Sequence, residues 1–170
     1  MSEERENKGV GATTAYFKIG RMTKPWRILQ GSMSASKNWS IGQHLLRLAS
    51  EKKRIITVVT DTFENLKDGM IQDYRNMFYM NGLDFDKYYN GSTKNLTWGE
   101  SIIQFRYISH SKPEAGKSKR RNILYINETT KVSYAAAMHY IARTSEICYF
   151  DLNPDMESWV HTEIEPGPLS

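Results

Sequence analysis

Arg27-Ile-Leu-Gln-Gly-Ser-Met-Ser-Ala-Ser-Lys-Asn-Trp-Ser-Ile41 is the stretch from which the fold can be read. A short apolar strand (Ile28, Leu29) runs into small residues from Gly31 to Ser36. Lys37 follows, and an amphipathic helix begins after it. Strand, small-residue loop, lysine and helix start is the layout of a phosphate-binding loop. Small residues let backbone N–H groups curl around phosphate oxygens. The helix N-terminus adds partial positive charge, and Lys37 adds a full one. Gly31, Ser32, Met33, Ser34, Ala35, Ser36, Lys37 and Asn38 are therefore the candidate nucleotide-binding residues. Compared with G-x-x-x-x-G-K-[S/T], Ser36 stands in place of the second glycine and Asn38 in place of the hydroxyl that meets Mg²⁺. By itself the loop serves equally well as a Ser-rich turn capping a helix, and the rest of the chain must decide.

Working outward, Trp39 to Lys53 carries Ile41, Leu45 and Leu48 at helical spacing. Ile55 to Val59 is a continuous β-branched run, which suits a buried parallel strand. Leu66, Met70, Tyr74, Met77 and Phe78 mark a second helix. Asn95–Trp98 and Ser101–Ile108 flank Gly99-Glu100 as a hairpin, with Gly99 suited to the first position of a type II′ turn. After a polar loop, Ser109 to Arg121, come a strand at Asn122–Ile126, a helix at Tyr134–Arg143 capped by Ser133, and a strand at Ile147–Leu152. Strands alternating with helices predict an α/β fold with a mainly parallel central sheet and the hairpin as an inserted decoration. Upstream, the aromatics of Tyr16 to Trp26 are candidates to flank a purine base, although packing is the commoner fate of such rings.

Composition sets limits. The chain has 170 residues, 39% apolar and 25% charged, which is enough for one domain with a real core. No apolar run approaches the roughly 20 residues that a membrane span needs. The single cysteine, Cys148, excludes an internal disulfide, and four histidines without close His/Cys pairs make a structural zinc site an unattractive reading. The net charge of +4 permits a polyanionic partner without requiring one. Residues 1–14 read as a flexible lead-in, 15–162 as the domain and 163–170 as a tail.

Three strands end in polar chemistry: the first in the Lys37 loop, the next in Asn127-Glu128, the last in Asn153. In open α/β sheets, ligands sit outside the carboxyl ends of the strands. Nucleotide hydrolysis needs such a set, with a lysine and amides on the phosphates, Mg²⁺ between the last two, and a group that positions water. Lys37, Glu128 and Asn153 are the catalytic candidates, and Glu128 is the natural water-positioning group. Taken singly, Glu128 could be a surface acid after a strand and Asn153 a plain Asn-Pro turn.

In this order the segments resemble the ATPase half of a tailed-phage terminase large subunit. Gln30–Lys37 is similar to that family's Walker A, Thr60–Asp68 to the helix start after its second strand, and Trp98–Phe105 to its hairpin. Leu124–Glu128 is similar to its Walker B, Ala142-Arg-Thr144 to a helix end, and Asp151-Leu-Asn-Pro154 to its coupling motif. Trp159 and His161 fall where the family often has His-Trp. The resemblance implies a P-loop NTPase of the ASCE type, with an added strand between Walker A and Walker B. It implies ATP and Mg²⁺ as cofactors, with ATP hydrolysis driving double-stranded DNA into a procapsid in the host cytoplasm. It also implies a homo-oligomeric ring on a portal, a small terminase subunit as partner, and a nuclease on a separate domain or chain. A basic residue acting on a neighbour's phosphate would come from Lys117, Arg120 or Arg121. The positions associated with Mg²⁺ are Asn38 and Asn127, both neutral amides, so Mg²⁺ binding is expected to be weaker than in a Ser/Thr-plus-Asp site. Those amides also leave room for a nucleotide- or DNA-binding assembly module with little turnover. Helicase-like ATPases and small-molecule kinases are the other P-loop readings. The chain lacks room for the second motor core of the first and the arginine-bearing lid of the second.

Overall fold

The structure is a computed structural model that describes residues 12–31, 35–108 and 119–164. Its centre is a seven-stranded sheet of order β1-β7-β6-β2-β5-β4-β3. The strands are β1 (Trp26–Gln30), β2 (Ile55–Thr60), β3 (Tyr89–Asn90), β4 (Asn95–Trp98), β5 (Ser101–Tyr107), β6 (Arg121–Ile126) and β7 (Thr144–Leu152). The run β1-β7-β6-β2-β5 is parallel throughout, and β4 and β3 extend it antiparallel. β7 lies between the Lys37 strand and the Glu128 strand, which is the added-strand order of an ASCE-type P-loop fold.

Two-residue alternation sorts the sheet into two cores. On β6, Ile123 and Tyr125 join one cluster while Leu124 and Ile126 join the other; on β7, Tyr149 opposes Cys148, Phe150 and Leu152 in the same way. The first face is covered by α1 (Thr14–Gly20), by α2 (Ala35–Glu51) through Ile41, Leu45 and Leu48, and by α3 (Gln72–Met80) through Tyr74 and Phe78. A π-helical segment, Asn65–Ile71, leads into α3 and adds Leu66 and Met70. The opposite face carries α4 (Tyr134–Ile141), with Ala136, Ala137, Tyr140 and Ile141 buried. The Ser133 hydroxyl caps α4 by accepting from the Ala136 N–H at 3.3 Å, as expected.

The inserted hairpin is built into the sheet, since β5 pairs with β2 over six residues. Its turn does have positive φ at Gly99 and not at Glu100, the sign pattern of type II′. The last two residues of the expected flexible lead-in belong to α1: Thr13 caps the helix on the Tyr16 N–H, and its hydroxyl meets that of Ser40 on α2. Residues 1–11 and 165–170 lie outside the described residues. Cys148 is buried on β7, and burial lifts its thiol to about 11.

Candidate functional site

The alternation that builds the core also builds the site. On β7, Asp151 shares a face with Tyr149, and on β6, Asn127 follows Ile123 and Tyr125 in phase; this is the face covered by α2. The carboxyl ends of β1, β7 and β6 therefore present polar groups towards the start of α2. Helix α2 begins at Ala35, two residues ahead of Lys37 and earlier than the sequence suggested. Ser36 is thus helical. The strain that a left-handed conformation would impose on a non-glycine residue does not arise there. Ser32, Met33 and Ser34 lie outside the described residues.

Lys37 folds back over its own loop. Its Nζ donates to the carbonyls of Gly31 at 2.9 Å and Leu152 at 3.2 Å, and it makes an ion pair with Asp151. The Gly31 N–H reaches the same Leu152 carbonyl at 3.4 Å, which ties the start of the loop to the end of β7. Asp151 is 4% exposed. Burial pushes its carboxyl above the usual range, while Lys37 and the nearby Glu128 backbone pull the other way. The same carboxylate thus touches the lysine and stands near the backbone of Glu128. Asn153 follows Leu152 directly, so the three strand ends meet at one edge of the sheet.

Beside them stands Tyr125, fully buried, its phenol held protonated by desolvation and the nearby Asp151. Its hydroxyl lies 3.0 Å from Oδ1 of Asn38 and 3.1 Å from Oδ1 of Asn127. The two amides expected near Mg²⁺ are therefore brought together around one phenol. Glu128 closes β6 with φ 48° and ψ 54°, a left-handed conformation that costs a non-glycine residue about 1–2 kcal/mol. Such strain concentrates at functional sites. Its carboxylate accepts from Lys131 Nζ at 2.6 Å, and that bond raises the lysine's pKa. The Asn153 side chain accepts from the Asp155 N–H at 3.3 Å, so it also shapes the Asn-Pro turn.

The basic candidates separate. Lys117 lies outside the described residues. Arg120 is exposed just ahead of β6, at the amino ends of the parallel strands and opposite the Lys37 loop. Arg121 is 4% exposed: it donates to Thr57 Oγ1 at 3.0 Å and the Tyr140 carbonyl at 2.6 Å, with its guanidinium over the Tyr140 ring. Those internal contacts remove Arg121 from the trans-acting set. A cavity of about 420 Å³ opens beside Lys37 between α1 and β1, with Lys18, Ile19, Met22, Ile28 and Gln30 in its walls. The expected aromatic flank is absent from that lining. Tyr16 packs edge-on against Phe17 and His44, and Trp26 against Phe150. Sequence reasoning passed over Asp151 and Tyr125 as site residues. The signal for both was their two-residue phase with Asn153 and Asn127.

No protein-family model and no curated protein matches the chain. Solved structures do. The large terminase of the thermophilic bacteriophage D6E aligns over 85% of this chain and 40% of its own, with a TM-score of 0.67 and 14% identity. Its complex with ADP aligns over 85% and 39%, at 0.62 and 14%. The large terminase ATPase domain of Thermus phage P74-26 aligns over 92% of this chain and 70% of its own, at 0.61 and 9%. The chain spans about two fifths of the length of the D6E structures. Together with the strand order, these alignments give this chain the P-loop fold of bacteriophage large-terminase ATPase domains.

Proposed function

We propose that this chain is the ATPase domain of a phage DNA-packaging terminase, binding ATP with Mg²⁺ and hydrolysing it to move double-stranded DNA into a procapsid. The observation that carries this reading is the meeting of Lys37, Asp151 and the Asn127-Glu128 turn at the carboxyl ends of three adjacent parallel strands. In this reading the N–H groups from Ser32 to Asn38 and the start of α2 cradle the phosphates. Lys37 leaves the Gly31 and Leu152 carbonyls to meet the terminal phosphates. The cavity between α1 and β1 has the size of a small-ligand site and takes the base.

Glu128 holds the attacking water, and its fixed left-handed backbone aims the side chain from the strand end. Asn153 senses the terminal phosphate through the turn it caps. Among the described residues, no three His, Cys, Asp or Glu side chains cluster, so a metal here would draw on the nucleotide's own phosphates, with Asn38 and Asn127 adding neutral oxygens. Bound Mg²⁺ would neutralise charge developing on the transferred phosphoryl group. Arg120, exposed ahead of β6, is the described candidate to act on a neighbouring subunit in a ring on the portal. The small terminase subunit, a separate nuclease and the infected host's cytoplasm complete the assignment.

A second reading, a nucleotide- or DNA-binding module with little turnover, is favoured by the two amides and by Lys37 being fully engaged in the described state. One experiment separates them. Nucleotide binding and ATP turnover are measured for wild type and Glu128→Gln, with and without DNA. The motor reading expects Glu128→Gln to bind normally and lose turnover. Turnover that survives this change removes Glu128 from the catalytic role.

A further inference from the structure

Resting on that reading, we infer that Asp151 supplies the carboxylate for the nucleotide-associated cation, taking the place of the acid that Asn127 lacks. A divalent cation of the Mg²⁺ type needs hard oxygen donors and ordinarily at least one anionic one. Neither Asn38 nor Asn127 can supply the charge. Asp151 can, and it lies one strand over, on the same face of the sheet.

Three acceptor oxygens converge here. Oδ1 of Asn38 and Oδ1 of Asn127 lie 3.0 and 3.1 Å from the Tyr125 hydroxyl, and the buried Asp151 carboxylate stands close enough to act on the same phenol. A phenol has one proton to donate, so one of the two amide oxygens goes without it. Oδ1 of Asp151 is buried and receives no aligned hydrogen bond; it meets Lys37 Nζ only as an ion pair. Buried acceptor oxygens with too few donors are unfavourable unless a cation completes them. In the described state, the Lys37 ammonium fills that role. If Lys37 turns to the phosphates, the carboxylate loses its cation just as a metal–nucleotide complex arrives with one. Asp151 then acts as a direct ligand or through one bound water, while Asn38 and Asn127 add neutral oxygens.

The test uses the whole chain with Mn²⁺ as a paramagnetic probe. Mn²⁺ binding is followed by electron paramagnetic resonance in the presence of ADP, alongside ADP affinity without metal. In Asp151→Asn, metal-free ADP affinity is expected to hold or rise, because Lys37 is released. The gain in ADP affinity on adding Mn²⁺ is expected to fall at least tenfold. Asn127→Asp in the Asp151→Asn background should restore that gain. Asn127→Asp in the wild-type background, which keeps the Lys37 pair intact, should raise Mn²⁺ affinity at least tenfold. An unchanged metal-dependent gain in Asp151→Asn, or no response to Asn127→Asp, overturns the inference. Failure of the wild-type chain to bind ADP at all would instead strike the ATPase reading.

Discussion

Replacing Lys37 with alanine should cost fold stability as well as nucleotide affinity, and the stability loss has a pH signature. The Lys37 and Asp151 side chains are 15% and 6% exposed, and among the described residues the ammonium is the cation paired with the acid. Truncation leaves a buried carboxylate that either stays charged without a partner or takes up a proton. Protonating a carboxyl of ordinary pKa at pH 7 costs about 4 kcal/mol, which sets a ceiling. Breaking a buried ion pair from one side generally costs about 3–5 kcal/mol. The expected deficit at pH 7 is therefore about 3–4 kcal/mol. In the variant, the folded pKa of Asp151 lies above its unfolded value. The folded state then holds the extra proton, and stability is lost as pH rises towards that folded pKa. The deficit relative to wild type should shrink by up to about 1.4 kcal/mol per pH unit on acidification. Urea unfolding followed by tryptophan fluorescence at pH 7 and pH 5.5 measures this for wild type, Lys37→Ala and the double variant Lys37→Ala/Asp151→Asn. The double variant should recover to within about 1 kcal/mol of wild type, since no buried charge remains. If Lys37→Ala matches wild type at both pH values, the fold-back geometry of Lys37 is wrong.

Other outcomes follow from the same contacts. His44 is 1% exposed, lies 3.0 Å from the Tyr149 hydroxyl, and is lowered to about 4 by burial and by Arg47 and Arg27. Between pH 6.5 and 4 the unfolded chain binds the extra proton, so stability should fall by about 3 kcal/mol as pH drops through that window; His44→Gln should flatten the slope in acid denaturation. Because Glu128 is left-handed, Glu128→Gly should be more stable than Glu128→Ala by about 1 kcal/mol in urea unfolding, while both lose turnover. Arg121→Ala should cost about 3 kcal/mol through two lost hydrogen bonds and the Tyr140 contact. Arg120→Ala should stay within about 0.5 kcal/mol of wild type and lower ATPase activity only in the assembled ring.

Much of this was legible in the residues because the information was local. The β-branched run at Ile55, the Ser133 cap and the Gly99 turn each announce themselves within a few positions, and the structure agrees. The polar ends of three strands could be counted without knowing which strands were neighbours. What stayed hidden depends on which strands and helices become neighbours in space. That Asp151 meets Lys37 follows from β7 lying beside β1, and only the assembled sheet makes that apparent. Arg121 reads as part of a solvated basic run, yet it opens β6 in a register that turns it against Thr57 and Tyr140. β3 is two residues long, too short to leave a periodic trace. Asn153 shows both of its readings at once, standing at the site's edge and capping its own turn.

Whether the strand ends around Lys37 form a nucleotide site is decided by a high-resolution structure of the chain with a non-hydrolysable ATP analogue and Mg²⁺. The expected arrangement places the β- and γ-phosphates at the start of α2, with Lys37 Nζ released from the Gly31 and Leu152 carbonyls and turned to them, and Glu128 facing the γ-phosphate. A nucleotide bound elsewhere, with Lys37 still folded onto β7, would contradict it.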